Sequence, residues 1–226
     1  MLYFATQSLR TSSMKSSRST HMMNVHEALA QITSIRGQVA RSTTFRGYGP
    51  ASLALTGLLA FLSAWIQSYR LPGPHPDVAG YLALWALTAA LALSLITMET
   101  ATRARRMHAG LVSQMLRNAV EPFVPAVAAG ALLAAVLLRF AHGELWMLPG
   151  LWQILFSLGV FSSCRFLPKQ TVAVGVWYLG CGMTCLALGH GPNALAPWEM
   201  GVPFGVGHLM LASILYLDYL RGDEDV

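Results

Sequence analysis

The chain has 226 residues, of which 54% are hydrophobic and only 11% are charged, and its formal net charge is +5. Soluble domains average about 25% charged residues, so this chain has too few to cover a surface that faces water. The composition therefore excludes an ordinary soluble domain. The length fits one helical bundle and leaves no room for a large second domain.

The N-terminal residues 1–23 are rich in Ser, Thr and basic residues, and they lack the apolar core that a signal peptide requires. A transit-like segment and a disordered extension both fit this composition. We favour a disordered extension, with the natural start at Met22 or Met23, because a patterned sequence begins immediately afterwards.

Residues 24–49 are predicted to form a cytoplasmic amphipathic helix and a turn. Asn24 and Glu27 have the spacing of a capping box. Apolar residues then recur at three- and four-residue spacing, as in one face of a helix. These residues are Ala28, Ile32, Ile35 and Val39.

Six apolar segments follow, and each is long enough to cross a bilayer, which takes about 20 residues with a range of roughly 17–25. None has an Asp, Glu, Lys or Arg at its centre. Backbone groups in lipid must be hydrogen-bonded within the segment, so these spans are predicted to be helices. The predicted spans are 51–68, 79–98, 123–140, 147–164, 171–188 and 201–217.

The sequence thus predicts an all-α membrane protein, a six-transmembrane-helix bundle over 50–218 with a cytoplasmic tail at 219–226. Basic residues give its orientation, because cytoplasmic loops are enriched in Lys and Arg. Of the 15 such residues, all except Arg70 and Arg139 fall before span one, in alternate loops, or after span six. Both termini are therefore predicted to be cytoplasmic.

A second amphipathic segment at 102–119 carries apolar residues opposite a basic face. It could lie on the anionic surface of the membrane, as basic amphipathic helices do. It could also extend span two into water and turn back. We favour the surface position.

Two polar side chains within the spans are the candidate binding residues. His208 lies near the middle of span six, on a stripe of small residues that favours close helix contact. It is predicted to face another helix, either as a structural imidazole or as a ligand or proton site. Gln153 in span four is predicted to bond across an interface, to His208 or Thr184 among the candidates.

The sequence predicts no catalytic residue, no metal site and no cofactor. The cysteines are odd in number, and Cys181 and Cys185 are one helical turn apart without further ligands at that depth, so neither a disulfide framework nor a metal site is indicated. Histidines and carboxylates in the predicted outer loops suit zinc chemistry by type, but nothing fixes their geometry. These residues are His75, His142, His190, Asp77, Glu144 and Glu199.

Four segments resemble an uncharacterised family of small multi-pass bacterial inner-membrane proteins. They are FRGYGPASLALTGLLA (45–60), LPGLWQILFSLGVFSSCRFLP (148–168), AVGVWYL (173–179) and PWEMGVPFGVG (197–207). The resemblance begins near residue 24 and runs to the end of span six. It implies a location in the bacterial inner membrane and supplies no reaction, ligand or catalytic residue.

Three classes of function fit the sequence. We favour a non-enzymatic membrane protein that binds or regulates a partner, either another protein or a second copy of the chain, in contact with lipid and without nucleic acid. The spans lack the acidic and basic pairs that coupled transport usually needs, so a small-solute transporter or channel with a site near His208 and Gln153 is the alternative. A membrane-embedded enzyme is least favoured, because no nucleophile–base set is evident.

Overall fold

The computed structural model describes residues 49–71, 77–106, 121–164, 167–191 and 194–224. These residues form helices without any strand, which confirms the predicted all-α class for this part of the chain. The α-helices are α1 (Pro50–Arg70), α2 (Val78–Arg106), α3 (Val124–Phe140), α4 (Leu148–Ser163), α5 (Thr171–Leu188) and α6 (Pro197–Glu224). Short 3₁₀ helices at Glu121–Phe123 and His142–Met147 precede α3 and α4.

Five helical segments of the described chain are long and apolar enough to cross a membrane. They are Pro50–Arg70, Val78–Thr102, His142–Ser163, Thr171–Leu188 and Pro197–Arg221. Helix α3 is equally apolar but has 17 residues, at the lower limit of about 17 for a span. The described helices are therefore compatible with a multi-pass membrane protein.

The outer surface of the bundle is apolar. Only 11% of the Val78–Thr102 segment is buried, and Leu87 on α2 and Leu132 on α3 are 59% and 69% exposed. Soluble monomers rarely expose large contiguous apolar surfaces, so these faces suit contact with lipid.

Several helix ends differ from the predicted boundaries. Helix α6 begins four residues before the predicted span and continues to Glu224, through most of the predicted tail. Residues Thr102–Arg106 continue α2, as the alternative for the second amphipathic segment requires, while 107–120 lie outside the described residues. The predicted extension and the amphipathic helix with Ala28, up to residue 48, also lie outside them.

Successive helices run antiparallel. Ser63 of α1 hydrogen-bonds Thr88 of α2, while Leu53, nearer the start of α1, packs with Ile96, nearer the end of α2. The same reversal of residue order recurs between α3 and α4, between α4 and α5, and between α5 and α6. The first and last helices are also antiparallel, because Gly57 meets Gly205 and Leu53 packs near Leu215.

Helices α1 and α6 approach closely through small residues. A Cβ atom on Gly57 would lie 2.9 Å from the carbonyl oxygen of Gly205, and one on Gly201 would overlap Ala64. Small residues let helix backbones approach closely, which is the main route to packing between helices in lipid. Small residues form the packing face of α1: Ser52, Thr56 and Ala60 are buried, and Ala64 meets Gly201.

Helices α4 and α5 meet through a reciprocal pair of glycines. A Cβ atom on Gly150 would lie 2.8 Å from the carbonyl oxygen of Gly182, and a Cβ atom on Gly182 would lie 2.8 Å from that of Gly150. Both obstacles are backbone atoms, which cannot turn aside as the end of a side chain can. The two helices could not keep this separation with a larger residue at either position.

We expect Gly182→Ala to destabilise the folded protein by about 1–3 kcal/mol, because the added methyl group overpacks the α4–α5 contact. The midpoint of thermal unfolding in detergent measures this change. Gly180→Ala on the same helix is the matched control, since a Cβ atom at Gly180 would meet nothing within 4 Å. Equal midpoints for the two variants would contradict the close contact.

Candidate functional site

Buried polar side chains collect at the end of the bundle where α6 begins. They come from the last turn of α1, the first turns of α2, the middle of α4 and the last turn of α5. We call this group the Glu199 cluster. Its members are Gln67, Tyr81, Trp85, Gln153, Cys185 and Glu199, and all of them are less than 5% exposed.

Gln153 satisfies a carbonyl group that a proline leaves free. Pro203 lies inside α6 and has no N–H, so the carbonyl of Glu199, four residues earlier, lacks its normal helical donor. The Gln153 amide nitrogen donates to this carbonyl oxygen at 2.6 Å, and the Cys185 Sγ lies 3.6 Å from it. Gln153 thereby joins α4 to the interrupted first turns of α6.

Gln67 makes a second link of this kind. Its Nε2 donates to the carbonyl oxygen of Leu195 at 2.7 Å, and its Oε1 accepts from the indole N–H of Trp85 at 2.8 Å. Leu195 has φ +58°, a left-handed conformation that is strained for a side chain of this size. Gln67 therefore helps to hold a strained residue immediately before α6.

The carboxyl group of Glu199 differs from these amides. The residue has 0% exposure, and neither carboxyl oxygen forms a hydrogen bond of standard geometry with the residues that the structure describes. The backbone amides of Leu195 and Ala196 lie near enough to act on it electrostatically. A Cβ atom on Gly189 would overlap Glu199 Oε1, so the carboxyl is tightly enclosed at the end of α5.

The hydroxyl of Tyr81 is also buried without a partner in the described chain. Tyr81 is 0% exposed, packs with Trp85, Leu195 and Met200, and interacts electrostatically with Glu199. Helix α2 turns the ring inward onto the start of α6, where its hydroxyl is enclosed.

His208 lies in a separate, aromatic environment. Its Nδ1 is 2.8 Å from the Phe204 carbonyl oxygen and 3.0 Å from the Tyr178 hydroxyl. The rings of Phe156, Tyr178 and Phe204 surround the imidazole at centroid distances of 5.9–6.3 Å. His208 therefore faces another helix, α5. Its contacts with the Phe204 carbonyl and the Tyr178 hydroxyl are those expected of a structural imidazole.

The structure does not bring Gln153 and His208 into hydrogen-bond contact. Gln153 bonds at the level of Glu199, whereas His208 lies nine residues further along α6, a rise of roughly 13 Å. Thr184, the other predicted partner, donates instead to the Gly180 carbonyl of its own helix. The partner of Gln153 is a backbone carbonyl that the sequence analysis did not consider.

The cysteines are free thiols. Cys185 contacts the Gln153 amide at 3.5 Å, and Cys164 donates to the Val160 carbonyl at 3.3 Å. Burial raises the pKa of the Cys164 thiol, which lowers its reactivity as a nucleophile. Within the described residues, no group of three or more His, Cys, Asp or Glu side chains could hold a metal ion.

The outer histidines and carboxylates do not form one site where they are described. The ring of His190 lies 4.9 Å from that of Trp146, whose N–H donates to exposed Glu144. His75 lies outside the described residues. Glu199 belongs to the first turn of α6 rather than to a loop, because that helix starts at Pro197.

The sequence did contain signals for the residues that our interpretation overlooked. Proline is favoured at the first position of a helix and a glutamate at the third, so Pro197 and Glu199 mark the start of α6. Pro203 also predicts an unbonded carbonyl at Glu199. No comparable signal in the sequence would have paired Tyr81 or Gln67 with this helix start.

Comparisons with known protein families, curated proteins and solved structures find no match for this chain. The chemistry of the site must therefore be argued from its own residues.

We expect Gln153→Met to destabilise the protein by about 0.6–2 kcal/mol, because the Glu199 carbonyl loses its donor within the membrane. Adding Pro203→Ala supplies a backbone N–H to that carbonyl and should recover part of the loss. Thermal unfolding in detergent of the two single variants and the double variant measures the coupling. Strictly additive effects would show that Gln153 does not compensate for Pro203.

Proposed function

We propose that this chain is a six-span protein of the bacterial inner membrane, with α1 to α6 as its spans and both termini in the cytoplasm. The distribution of Lys and Arg supports this orientation, and the antiparallel arrangement of the first and last helices, α1 and α6, supports an even number of crossings. The resemblance to small multi-pass inner-membrane proteins supports the address. In this topology the Glu199 cluster lies toward the outer side of the membrane.

Within that topology, we propose that the protein is a non-enzymatic small-solute transporter or channel. Its ligand-binding group would be the carboxyl of Glu199, with the Tyr81 hydroxyl as a second contact. The observation that carries this proposal is the complete burial of both groups without a side-chain hydrogen-bond partner in the described chain; the backbone amides of Leu195 and Ala196 are the groups that act on the Glu199 carboxyl. Ionisable residues inside membrane segments commonly mark pathways for ions and substrates.

A structural role explains the neighbouring residues better than it explains Glu199. Gln67 and Gln153 are buried at the same level, and each bonds a carbonyl that needs a donor. Leaving a buried polar group unbonded costs about 1–3 kcal/mol, and more for a charged group. A side chain that only held helices together would not carry this penalty, whereas a binding group recovers it when its ligand arrives.

The proline and the strained residue support the same proposal. Pro203 interrupts the backbone hydrogen bonds of α6 one turn after Glu199, and Leu195 is strained four residues before it. Interrupted membrane helices line substrate sites in several transporters, where unbonded backbone groups face the ligand. Here both irregularities flank the same carboxyl group.

Partner binding, the function favoured by the sequence, depends on the stripe that begins at Ala28 and ends at Val39. Those residues lie outside the described part of the chain. The Glu199 cluster supplies a positive structural observation, so the solute-binding proposal takes precedence. His208 and Gln153 keep a supporting role in it, since Gln153 positions the start of α6 and His208 packs further along that helix.

We expect Glu199→Met to stabilise the protein by about 1–3 kcal/mol, because it replaces an unbonded carboxyl with an apolar side chain of similar length. The midpoint of thermal unfolding in detergent should rise relative to the wild type. Glu144→Met, at an exposed position in the same half of the bundle, is the control and should leave the midpoint nearly unchanged. A lower midpoint for Glu199→Met would assign this side chain a structural role.

Transport can be tested with the purified chain in proteoliposomes adsorbed on a solid-supported membrane. Concentration jumps of methylammonium, acetate and glycine serve as probes. We expect a transient current with at least one probe in the wild type, its loss in Glu199→Gln, and its retention in Glu144→Gln. The absence of current with every probe, or an unchanged current in Glu199→Gln, would contradict the proposed function.

A further inference from the structure

The surroundings of Glu199 restrict what its carboxyl group can bind. The residue is fully buried, and the backbone of Gly189 presses on the carboxyl so closely that even a methyl group would overlap it. No organic solute can reach the carboxyl without a rearrangement of the helix ends. A ligand that binds the Glu199 carboxyl while the helix ends keep this packing must therefore be very small.

A metal cation lacks ligands at this position. Ca²⁺ takes six to eight oxygen ligands, and Mg²⁺ requires a near-ideal octahedron. The carbonyl oxygens of Leu195 and Glu199, at the start of α6, already accept hydrogen bonds from Gln67 and Gln153. A cation at this point would find one carboxyl group and little else in the described residues.

We infer that the ligand of Glu199 is a proton, and that its carboxyl is the proton-binding group of the transport cycle; this inference rests on the proposed function. On loading, one carboxyl oxygen takes a proton from hydronium and a water molecule is released. On unloading, the O–H bond breaks and the proton returns to water. The number of atoms and the charge are balanced in both directions.

The titratable groups that face this carboxyl are few. Tyr81 faces it from α2 and Cys185 from α5, while the residues from α1 and α4, Gln67 and Gln153, do not titrate. The backbone amides of Leu195 and Ala196, at the positive end of α6, act on the Glu199 carboxyl. Within the described chain, no arginine or lysine does so. No positively charged side chain of the described residues therefore keeps the Glu199 carboxylate ionised, so the carboxylate can bind and release a proton.

The irregular backbone beside Glu199 offers a way for the proton to enter and leave. The Gln67 amide bonds the carbonyl of strained Leu195, and the Gln153 amide bonds the carbonyl that Pro203 leaves free. Release of either amide would loosen the first turn of α6 and admit water to the carboxyl. The two glutamines thus control access, whereas Glu199 itself binds the proton.

Infrared difference spectroscopy of the full chain in proteoliposomes tests the inference. The protein is labelled with ¹³C-glutamate, and the pH of the medium is stepped while the C=O stretch of protonated carboxyls is followed. We expect a titrating band from a carboxyl in a dry environment that disappears in Glu199→Gln and persists in Glu144→Gln. Glu199→Asp keeps a carboxyl on a shorter side chain and should retain a band at a shifted frequency. It serves as the second variant in case Glu199→Gln does not fold.

The outcomes separate the inference from the proposed function. An identical set of titrating bands in the wild type and in Glu199→Gln would overturn the proton assignment, even if solute currents are present. A Glu199 band that titrates in the absence of any solute current would support the proton site and overturn the transport proposal.

Discussion

The constraint that governs this structure is that polar groups buried away from water must find hydrogen-bond partners within the protein. The helices meet it locally where they can: Thr56, Ser157 and Ser163 bond carbonyls of their own helix. Where the backbone is interrupted, a side chain from another helix supplies the donor. Pro203 and Gln153 are the clearest case, because the proline creates the need that the glutamine meets.

The same constraint makes Glu199 and Tyr81 exceptional. They are enclosed beside side chains that form hydrogen bonds of their own, those of Gln67, Trp85 and Gln153, and the glycine contacts between α1 and α6 and between α4 and α5 keep the enclosure tight. A rigid scaffold around an unsatisfied carboxyl is the arrangement expected of a binding group, since rigid surroundings prevent the penalty from being relieved by small movements. The stability that the bundle loses at this point is consistent with a group retained for function.

Hydrophobic length was sufficient to predict most of the fold. The predicted span 171–188 coincides with α5, and the spans assigned to α1, α3 and α4 differ from the helices by at most two residues at either end. The small residues around Ala60, which form a buried face of α1, are also visible in the sequence. These features follow from local composition, which a single sequence displays directly.

The site was less accessible to prediction because its members come from five helices and meet only after folding. Gln153 was recognised as a buried polar residue, but its partner is a backbone carbonyl, which has no signature in the sequence apart from Pro203. Glu199 was assigned to an outer loop because the predicted apolar span begins at residue 201, after this charged side chain. Tyr81 lies near the start of an apolar segment, where tyrosines commonly face the membrane surface. Only the packing of α2 shows that its hydroxyl is enclosed.

The proposals depend on one feature: within the described residues, no side chain donates a hydrogen bond to the buried carboxyl of Glu199. Magic-angle-spinning NMR of the ¹³C,¹⁵N-labelled chain in lipid can measure distances from the Glu199 side-chain carboxyl carbon to protein nitrogens. We predict no side-chain nitrogen at hydrogen-bond distance from the Glu199 carboxyl carbon, beyond the nearby backbone amides of Leu195 and Ala196, while the backbone carbonyl of the same residue shows close contact with Gln153 Nε2. A side-chain ammonium, guanidinium or amide bonded to the Glu199 carboxyl would contradict this prediction.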